Sequence, residues 1–254
     1  MRILISNDDG IHARGLLDLV AAVADLGEVT VVAPDRAQSA TGHSITLHKP
    51  LRADPVAIHG AAMAYSVSGT PTDCVALAIR HLVRDRPDIL ISGINHGANL
   101  GWDLTYSGTV AAAVEGALLG VPSLAVSLAS RASGISYQFA GAWAREMAEM
   151  LCERTLPPFT LLNVNIPWLG DLPPHGARVT RQGKRRYDGG VTERQDPSGR
   201  PYYWLGGEIP EEELSPGTDT RAIIDGYVSI TPLHLDLTAP DLLDELRGWN
   251  LESG

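Results

Sequence analysis

The stretch RILISNDDG, residues 2–10, joins a short apolar run to two adjacent carboxylates and a glycine. The uninterrupted run from Ile3 to Ile5 predicts a strand buried on both faces, because a sheet covered by helices on either side favours continuous Val, Ile and Leu. Directly after this strand, Asp8 and Asp9 set two like charges side by side, which costs free energy unless an opposite charge is bound between them. The stretch therefore predicts an α/β core and indicates a binding site at the end of its first strand.

Outward from this strand, strand and helix patterns alternate as far as about residue 170. The further predicted strands are EVTVVAP (28–34), DILISG (88–93), SLAVSL (123–128) and TLLNVNIP (160–167). The predicted helices lie at 13–27, 71–83, 108–120 and 139–154. This alternation predicts an α/β fold with a mainly parallel sheet and helices on both of its faces.

The pattern changes after about residue 170. Residues 177–190 and 200–210 have the composition of strands, and the turn-rich ERQDPSG between them predicts a β-hairpin. A further strand at 225–238 and a helix starting at Pro240 close the chain. We expect one domain over 1–254, with an α/β core at about 1–170 and a β-hairpin and C-terminal arm at about 171–254. The appended part either serves oligomerisation or covers an edge of the same subunit.

Composition excludes several classes of protein. With 254 residues, 44% of them apolar, the chain can bury a large core, which argues against disorder. A net charge of −10 argues against nucleic acid polymers as partners, although a small anionic substrate needs only a local cation. No run approaches the roughly 18 apolar residues of a membrane span, and no secretory leader is visible. Cys74 and Cys152 suit buried, reduced thiols, so we expect a cytoplasmic protein.

Oxygen-bearing side chains follow the predicted strands, where open parallel sheets bind their ligands. Asn7, Asp8 and Asp9 follow the first strand, Ser39 follows the second, and Asn95 follows DILISG. One aspartate alone would be explained as a helix cap, but two beside an asparagine suit a hard cation such as Mg²⁺ or Mn²⁺. Asp8, Asp9, Ser39 and Asn95 offer four oxygens, which leaves about two octahedral positions for water and substrate.

The segment YSGTVAAAVEGA predicts an anion site beside this cation. Ser107, Gly108 and Thr109 start a helix, whose free backbone N–H groups attract a phosphate, although the same residues also form ordinary N-caps. Asn95 and Asn99 could donate to the same phosphate. We expect Thr109→Val to weaken substrate binding and to leave metal affinity nearly intact. GxxxxGK[ST] and GxGxxG motifs are missing at the first strand, which disfavours kinase and dinucleotide functions.

Seven blocks follow one another from residue 1 to about residue 240: ILISNDDG, VVAPDRAQSA, GTPTDC, PDILISGINHGANLG, YSGTVAAAVEG, LNVNIP and PGTDTRAIIDGYVSITPLHLDLT. Together they resemble the SurE family of nucleotidases. The resemblance implies a Rossmann-like three-layer α/β sandwich, with one Mg²⁺ or Mn²⁺ per subunit bound by Asp8, Asp9, Ser39 and Asn95. It also implies homodimers or homotetramers joined by exchanged C-terminal elements.

The same resemblance implies a metal-dependent phosphomonoesterase that hydrolyses nucleoside 5′- and 3′-monophosphates to nucleoside and phosphate. Two alternatives stay open: a phosphatase for sugar phosphates or short polyphosphate, and a metal-dependent nucleotide-binding regulator without turnover. Two positions depart from the family pattern, Ala40 where glycine is usual and Arg14 where proline is common. Neither change removes a metal ligand.

Two nucleophiles are compatible with these residues. A water activated by the cation would attack the phosphorus in line, or one of the aspartates would form an aspartyl-phosphate. Phosphatases of the covalent type space their two aspartates by one residue, so we favour water, with Asp8 and Asp9 as the catalytic carboxylates. His43 is the first candidate for a catalytic helper, because it follows Ser39 on the same loop. Trp102 and Tyr106 could stack on a nucleobase.

Overall fold

The structure is a computed structural model, and it describes residues 1–184, 190–206 and 215–249. Its strands are β1 (Arg2–Ser6), β2 (Glu28–Pro34), β3 (Ala53–Pro55), β4 (Met63–Val67), β5 (Ile89–His96), β6 (Ser123–Ala129), β7 (Thr160–Pro167), β8 (Ala177–Val179), β9 (Gly190–Gln195), β10 (Pro201–Gly206) and β11 (Val228–His234). Its α-helices are α1 (Arg14–Val23), α2 (Pro71–Leu77), α3 (Gly108–Leu118), α4 (Gln138–Cys152), α5 (Asp219–Ile224) and α6 (Pro240–Arg247). A π-helical turn spans Ala78–Leu82, and a 3-10 helix spans Gly101–Tyr106.

Strand β1 is covered on both faces, as its uninterrupted apolar run predicts. Ile3 and Ile5 are buried in one cluster with residues of α1 and α4. Leu4 belongs to a second buried cluster, with residues of α2 and α3. Because successive side chains of a strand point to opposite faces of the sheet, this strand needs a helix layer on each side, and both layers are present.

The main sheet contains nine of the described strands, in the spatial order β3, β4, β2, β1, β5, β6, β7, β11 and β8. The strands from β4 to β7 in this order all run parallel. At the two sides, β3 pairs antiparallel with β4, and β11 pairs antiparallel with β7. The predicted α/β fold is confirmed, and the parallel strands share one carboxyl edge where a site can form.

The predicted hairpin exists, but its strands lie elsewhere along the chain. β9 and β10 pair antiparallel, so residues 193–195, predicted as turn, belong to a strand. The chain turns at Asp196, because its carboxylate accepts hydrogen bonds from two backbone N–H groups of the turn. The first strand predicted for the hairpin, 177–190, is divided: β8 joins the main sheet beside β11, and 185–189 lie outside the described residues.

The two cysteines differ in burial. Cys74 is buried, as predicted, whereas Cys152 is exposed, so the prediction of two buried thiols is wrong for the second. Cys152 ends α4 one residue beyond the buried Leu151, and one residue of helix rotates the side chain away from the packed face. Among the described residues, no helix has the length and apolar content to cross a membrane.

Candidate functional site

The predicted metal ligands come from segments that meet at the carboxyl edge of the sheet. β1 lies between β2 and β5 and runs parallel to both, so the segments that follow these strands are neighbours. These segments help to line a cavity of about 240 Å³. Its lining includes Asp8, Asp9, Ser39, Asn95, Asn99, Tyr106 and Ser107. The structure therefore brings the four predicted ligands to one place.

The turn after β1 is shaped by Asn7 and Gly10. The side-chain amide of Asn7 donates to the Gly10 carbonyl (3.0 Å), and the Gly10 N–H donates to Asn7 Oδ1 (3.2 Å). Gly10 has φ +103°, and a Cβ there would lie 3.2 Å from the backbone of the neighbouring loop. That loop is tied to the turn by the Gln38 N–H, which donates to the Asp8 carbonyl at 2.7 Å. Asn7 thus holds the turn that presents the two carboxylates.

Asp8 is a buried carboxylate held against the start of α3. Thr109 Oγ1 donates to Asp8 Oδ1 at 2.5 Å. Burial, with a smaller contribution from the charge of Asp9, raises the pKa of Asp8 to about 6, although the hydrogen bonds from Thr109 oppose the shift. The ionised pair is therefore destabilised in this fold, and a bound cation would relieve the destabilisation.

Asp9 is oriented by the end of β5. The His96 N–H donates to Asp9 Oδ2 at 3.3 Å, and burial raises the pKa of Asp9 although this hydrogen bond opposes the shift. His96 also lines the cavity, and its Nδ1 lies 3.0 Å from the hydroxyl oxygen of the buried Tyr137. Sequence reasoning did not find Tyr137, which stands just before α4 and is part of no motif.

An irregularity in β5 places Asn95. The register with β6 shifts just before this residue, and the peptide bond after Gly93 is cis. Gly93 has φ +144°, and it lies so close to β6 that a Cβ would be 2.4 Å from the Val126 carbonyl oxygen. The side-chain nitrogen of Asn95 donates to the Gly97 carbonyl at 2.8 Å. Its side-chain oxygen is therefore the atom that could bind a cation.

The loop that carries Ser39 contains a strained residue. Ala40 has φ +56°, in the left-handed region that favours glycine. Further along the loop, the Gly42 N–H donates to the Tyr106 carbonyl at 3.0 Å, which holds the loop against the 3-10 helix. The departure from the family pattern at Ala40 therefore falls on a backbone conformation that glycine would adopt without strain.

Ser107, Gly108 and Thr109 lie at the start of α3, as predicted. Ser107 lines the cavity, and its hydroxyl accepts from the Val110 N–H at 3.1 Å, so it is the N-cap of the helix. A Cβ on Gly108 would lie 2.7 Å from the Asp8 Cβ, so glycine is required for the close approach. Thr109 is fully buried with its hydroxyl on Asp8. The helix start thus offers backbone N–H groups to an anion, while the Thr109 side chain acts on Asp8.

Asn99 is fixed by a buried polar network. Its side-chain nitrogen donates to Ser127 Oγ at 2.8 Å, and its backbone N–H donates to Asn165 Oδ1 at 2.8 Å. Asn163 and Asn165 both donate to its carbonyl oxygen, at 2.9 and 3.0 Å. Asn99 lines the cavity, but a hydrogen bond from it to a phosphate would have to use its second amide hydrogen.

The structure does not bring His43 to this cavity. His43 Nε2 is 3.0 Å from Glu115 Oε2 on α3, and the residue lines a neighbouring, more apolar cavity of about 480 Å³. Two charged residues that sequence reasoning passed over, Asp103 and Arg131, do line the cavity with the carboxylate pair. Arg131 stands just beyond the carboxyl end of β6, so the rule applied to the other strand ends could have found it.

The donor set fits a hard divalent cation. Two carboxylates, a hydroxyl and an amide oxygen are ligands that Mg²⁺ and Mn²⁺ accept. Among the described residues, no group of three or more His, Cys, Asp or Glu could hold a metal, which agrees with a set that has only two carboxylates. The adjacent, desolvated pair of Asp8 and Asp9, with both pKa values raised, is the feature that a cation would explain.

Fold and site together define a parallel-sheet α/β protein with an oxygen-rich, acidic cavity at the carboxyl edge of the sheet, next to a helix start. The family described as survival protein SurE matches residues 3–189. The chain belongs to this SurE family.

Similar proteins agree with this assignment over nearly their whole lengths. The 5′-nucleotidase SurE of Geobacter metallireducens is 51% identical over 254 residues, which cover 98% of each chain. The 5′-nucleotidase SurE of Myxococcus xanthus is 52% identical over 255 residues, covering 99% of this chain and 94% of its own. A crystal structure of the SurE protein from Aquifex aeolicus has 41% sequence identity and a TM-score of 0.86, covering 98% of this chain and 99% of that chain. The predicted family and fold are confirmed.

Proposed function

We propose that this protein is a divalent-metal-dependent phosphomonoesterase that hydrolyses nucleoside 5′-monophosphates, and also 3′-monophosphates, to nucleoside and phosphate. The observation that carries the proposal is the meeting of four oxygen ligands with the start of α3 at one cavity. A cation site beside an anion-binding helix start suits a phosphate dianion held between the two. Relatives named 5′-nucleotidase SurE, at about half identity, support the nucleotide class.

Four side chains would hold the cation: Asp8, Asp9, Ser39 and Asn95. When bound there, Mg²⁺ or Mn²⁺ supplies Lewis acidity and makes an attacking water easier to deprotonate. The chain's own contribution is to keep the ligands charged and in place. The hydrogen bonds from Thr109 favour the ionised form of Asp8, and the His96 N–H does the same for Asp9.

Other groups would bind the phosphoryl oxygens. The first backbone N–H groups of α3, beside Ser107, face developing negative charge without any change of conformation. Arg131 adds a positive charge to the lining of the cavity. A chain with a net charge of −10 needs such a local cation to attract an anionic substrate.

We further propose that the chain works as a homodimer or homotetramer. The support is the apolar surface of the appended part, which the single chain leaves exposed. Tyr203 and Trp204 of β10 are 58% and 64% exposed, and no described residue of α6 is buried although Leu242 and Leu243 lie on it. A second copy would remove this surface from water.

Phosphate release tests the proposed activity. AMP, 3′-AMP, a sugar phosphate and short polyphosphate are compared with Mg²⁺, with Mn²⁺ and with EDTA. We expect release from the nucleotides, faster than from the other substrates and abolished by EDTA, and no release by the Asp8→Asn variant. Faster release from the sugar phosphate or polyphosphate would replace the substrate class. Nucleotide binding without release would indicate a regulator.

A further inference from the structure

The motif PGTDTRAIIDG, residues 216–226, lies outside the cavity, yet its buried aspartate reaches the wall of that cavity. Asp219 is the first residue of α5 and is fully buried. Its Oδ2 accepts from the Gly101 N–H at 2.7 Å, and its Oδ1 accepts from the N–H groups of Gly183 at 3.0 Å and Thr220 at 2.7 Å. One carboxylate thus joins three segments that are far apart in the sequence.

Gly101 is held from two sides. Its N–H donates to Asp219, and its carbonyl accepts from Gln182 Nε2 at 2.9 Å. Gly101 has φ +57°, one of many conformations open to glycine, so its own preference does not fix the direction of the chain here. The two hydrogen bonds select the observed conformation.

The 3-10 helix that begins at this glycine forms one wall of the cavity. Asp103 and Tyr106 line the cavity, and Trp102, on the same segment, is 44% exposed. At the far end, the Tyr106 carbonyl accepts from the Gly42 N–H, in the loop that carries Ser39. The wall is therefore held by the Asp219 contacts at one end and by the metal-site loop at the other.

We propose that Asp219 and Gln182 are positioning residues: they clamp Gly101 and thereby set the wall of the cavity that contacts the nucleoside part of the substrate. The substrate named here rests on the proposed nucleotidase function, whereas the clamp rests on the hydrogen bonds. Neither residue lines the cavity with the four metal ligands. Loss of the clamp should therefore weaken nucleotide binding and spare the cation.

Asp219→Asn tests the clamp, because it keeps the volume of the side chain and replaces one acceptor by a donor. We expect the KM for AMP to rise by about tenfold or more, as for loss of a hydrogen bond to a charged group, and the KM for phenyl phosphate and kcat to change less. The gain in melting temperature on adding Mn²⁺ should equal that of the wild type. Asp225→Asn is the matched control, since Asp225 ends the same helix and pairs with Arg178 and Arg221 instead.

Amide hydrogen exchange gives a readout that does not depend on activity. Exchange across residues 100–107 should accelerate by about tenfold or more in Asp219→Asn and not in Asp225→Asn. Gln182→Ala changes an exposed residue and should shift exchange and KM in the same direction, which keeps the test available should Asp219→Asn fail to fold. Unchanged exchange at 100–107, an unchanged KM for AMP, or equal rises in KM for both substrates would overturn the proposal. A wild type that hydrolyses no phosphate ester would refute the nucleotidase function instead, and exchange would still decide the clamp.

Discussion

Asp8 and Asp9 combine two properties that conflict in the metal-free protein: they are adjacent, and they are shielded from water. Burial is the main cause of the raised pKa of each, and the charge of Asp9 adds to the shift of Asp8. For an acid whose pKa is higher in the folded than in the unfolded state, the folded state binds more protons between the two values. Stability then falls as pH rises from about 4 to about 6.

Asp8→Asn should therefore make the metal-free protein more stable above pH 6. The shift from 3.8 to about 6 corresponds to about 3 kcal/mol as an upper bound. With Mn²⁺ the order should reverse: a hundredfold excess over Kd stabilises the wild type by about 2.7 kcal/mol, and the variant gains less and hydrolyses no AMP. Melting curves with EDTA and with Mn²⁺ measure both effects, with Asp9→Asn alongside. Two active variants, and curves that metal leaves unmoved, would reduce the pair to a structural turn.

Ala40→Gly should raise stability, because the left-handed φ of Ala40 costs alanine free energy that glycine does not lose. The gain is about 1 kcal/mol or less, since glycine also has more conformational entropy to lose on folding. Chemical denaturation measures it. Ala62→Gly, at a position outside the left-handed region, is the control and should lower stability. A loss of stability at both positions would show that the Ser39 loop is not strained.

At the scale of elements, the sequence predicts what is long or uniform. The run in β1 and the 15 residues of α4 give clear patterns, whereas β3 has three residues and α5 has six, too few for any period to show. β5 was predicted to stop at Gly93 because polar residues follow, yet backbone pairing with β6 carries it to His96. Main-chain pairing does not depend on apolar side chains, so composition alone misplaces such ends.

The site divides in the same way. Asp8, Asp9, Ser39 and Asn95 follow strands, and the parallel sheet gathers strand ends whatever the side chains do. The direction of a side chain is a tertiary property, so the sequence could not show that His43 is paired with Glu115. Nor could it show that Thr109 bonds to Asp8 across 101 residues of sequence. The clamp on Gly101 is of this second kind.

The contact between β1 and α3 changes the expectation for Thr109→Val. The hydroxyl of Thr109 donates to the buried Asp8, so its removal should weaken both metal and substrate binding, rather than substrate binding alone. Loss of a hydrogen bond to a charged group costs about 1.5–3 kcal/mol, roughly ten- to a hundredfold in affinity. Titration with Mn²⁺, followed by KM for AMP, separates the two effects. Thr109→Ser keeps the hydroxyl and should retain most of the affinity; a normal Mn²⁺ affinity in Thr109→Val would assign the hydroxyl to the phosphate instead.

For the whole molecule, α6 offers a test of the proposed assembly. None of its described residues is buried within the chain, so replacing Leu242 and Leu243 together by Glu should leave the monomer folded and should dissociate the dimer. Light scattering coupled to size-exclusion chromatography measures the mass. Replacing Asp241 and Asp244 together by Asn alters the same helix without removing apolar surface, and should leave the mass unchanged. An unchanged mass in the Leu variant would remove α6 from the interface.

The two outer strands of the main sheet, β3 and β8, are only three residues long. Each presents few unpaired backbone groups, and Pro55 in β3 has no N–H to donate. A neighbouring molecule in a crowded cell therefore finds almost no template on which to add a strand, which protects a sheet of this width against aggregation. The strands β9 and β10 are twice as long and, within the described part of the chain, pair only with each other. Strand addition between molecules is thus channelled to the hairpin, where an ordered complex can form without unfolding the core.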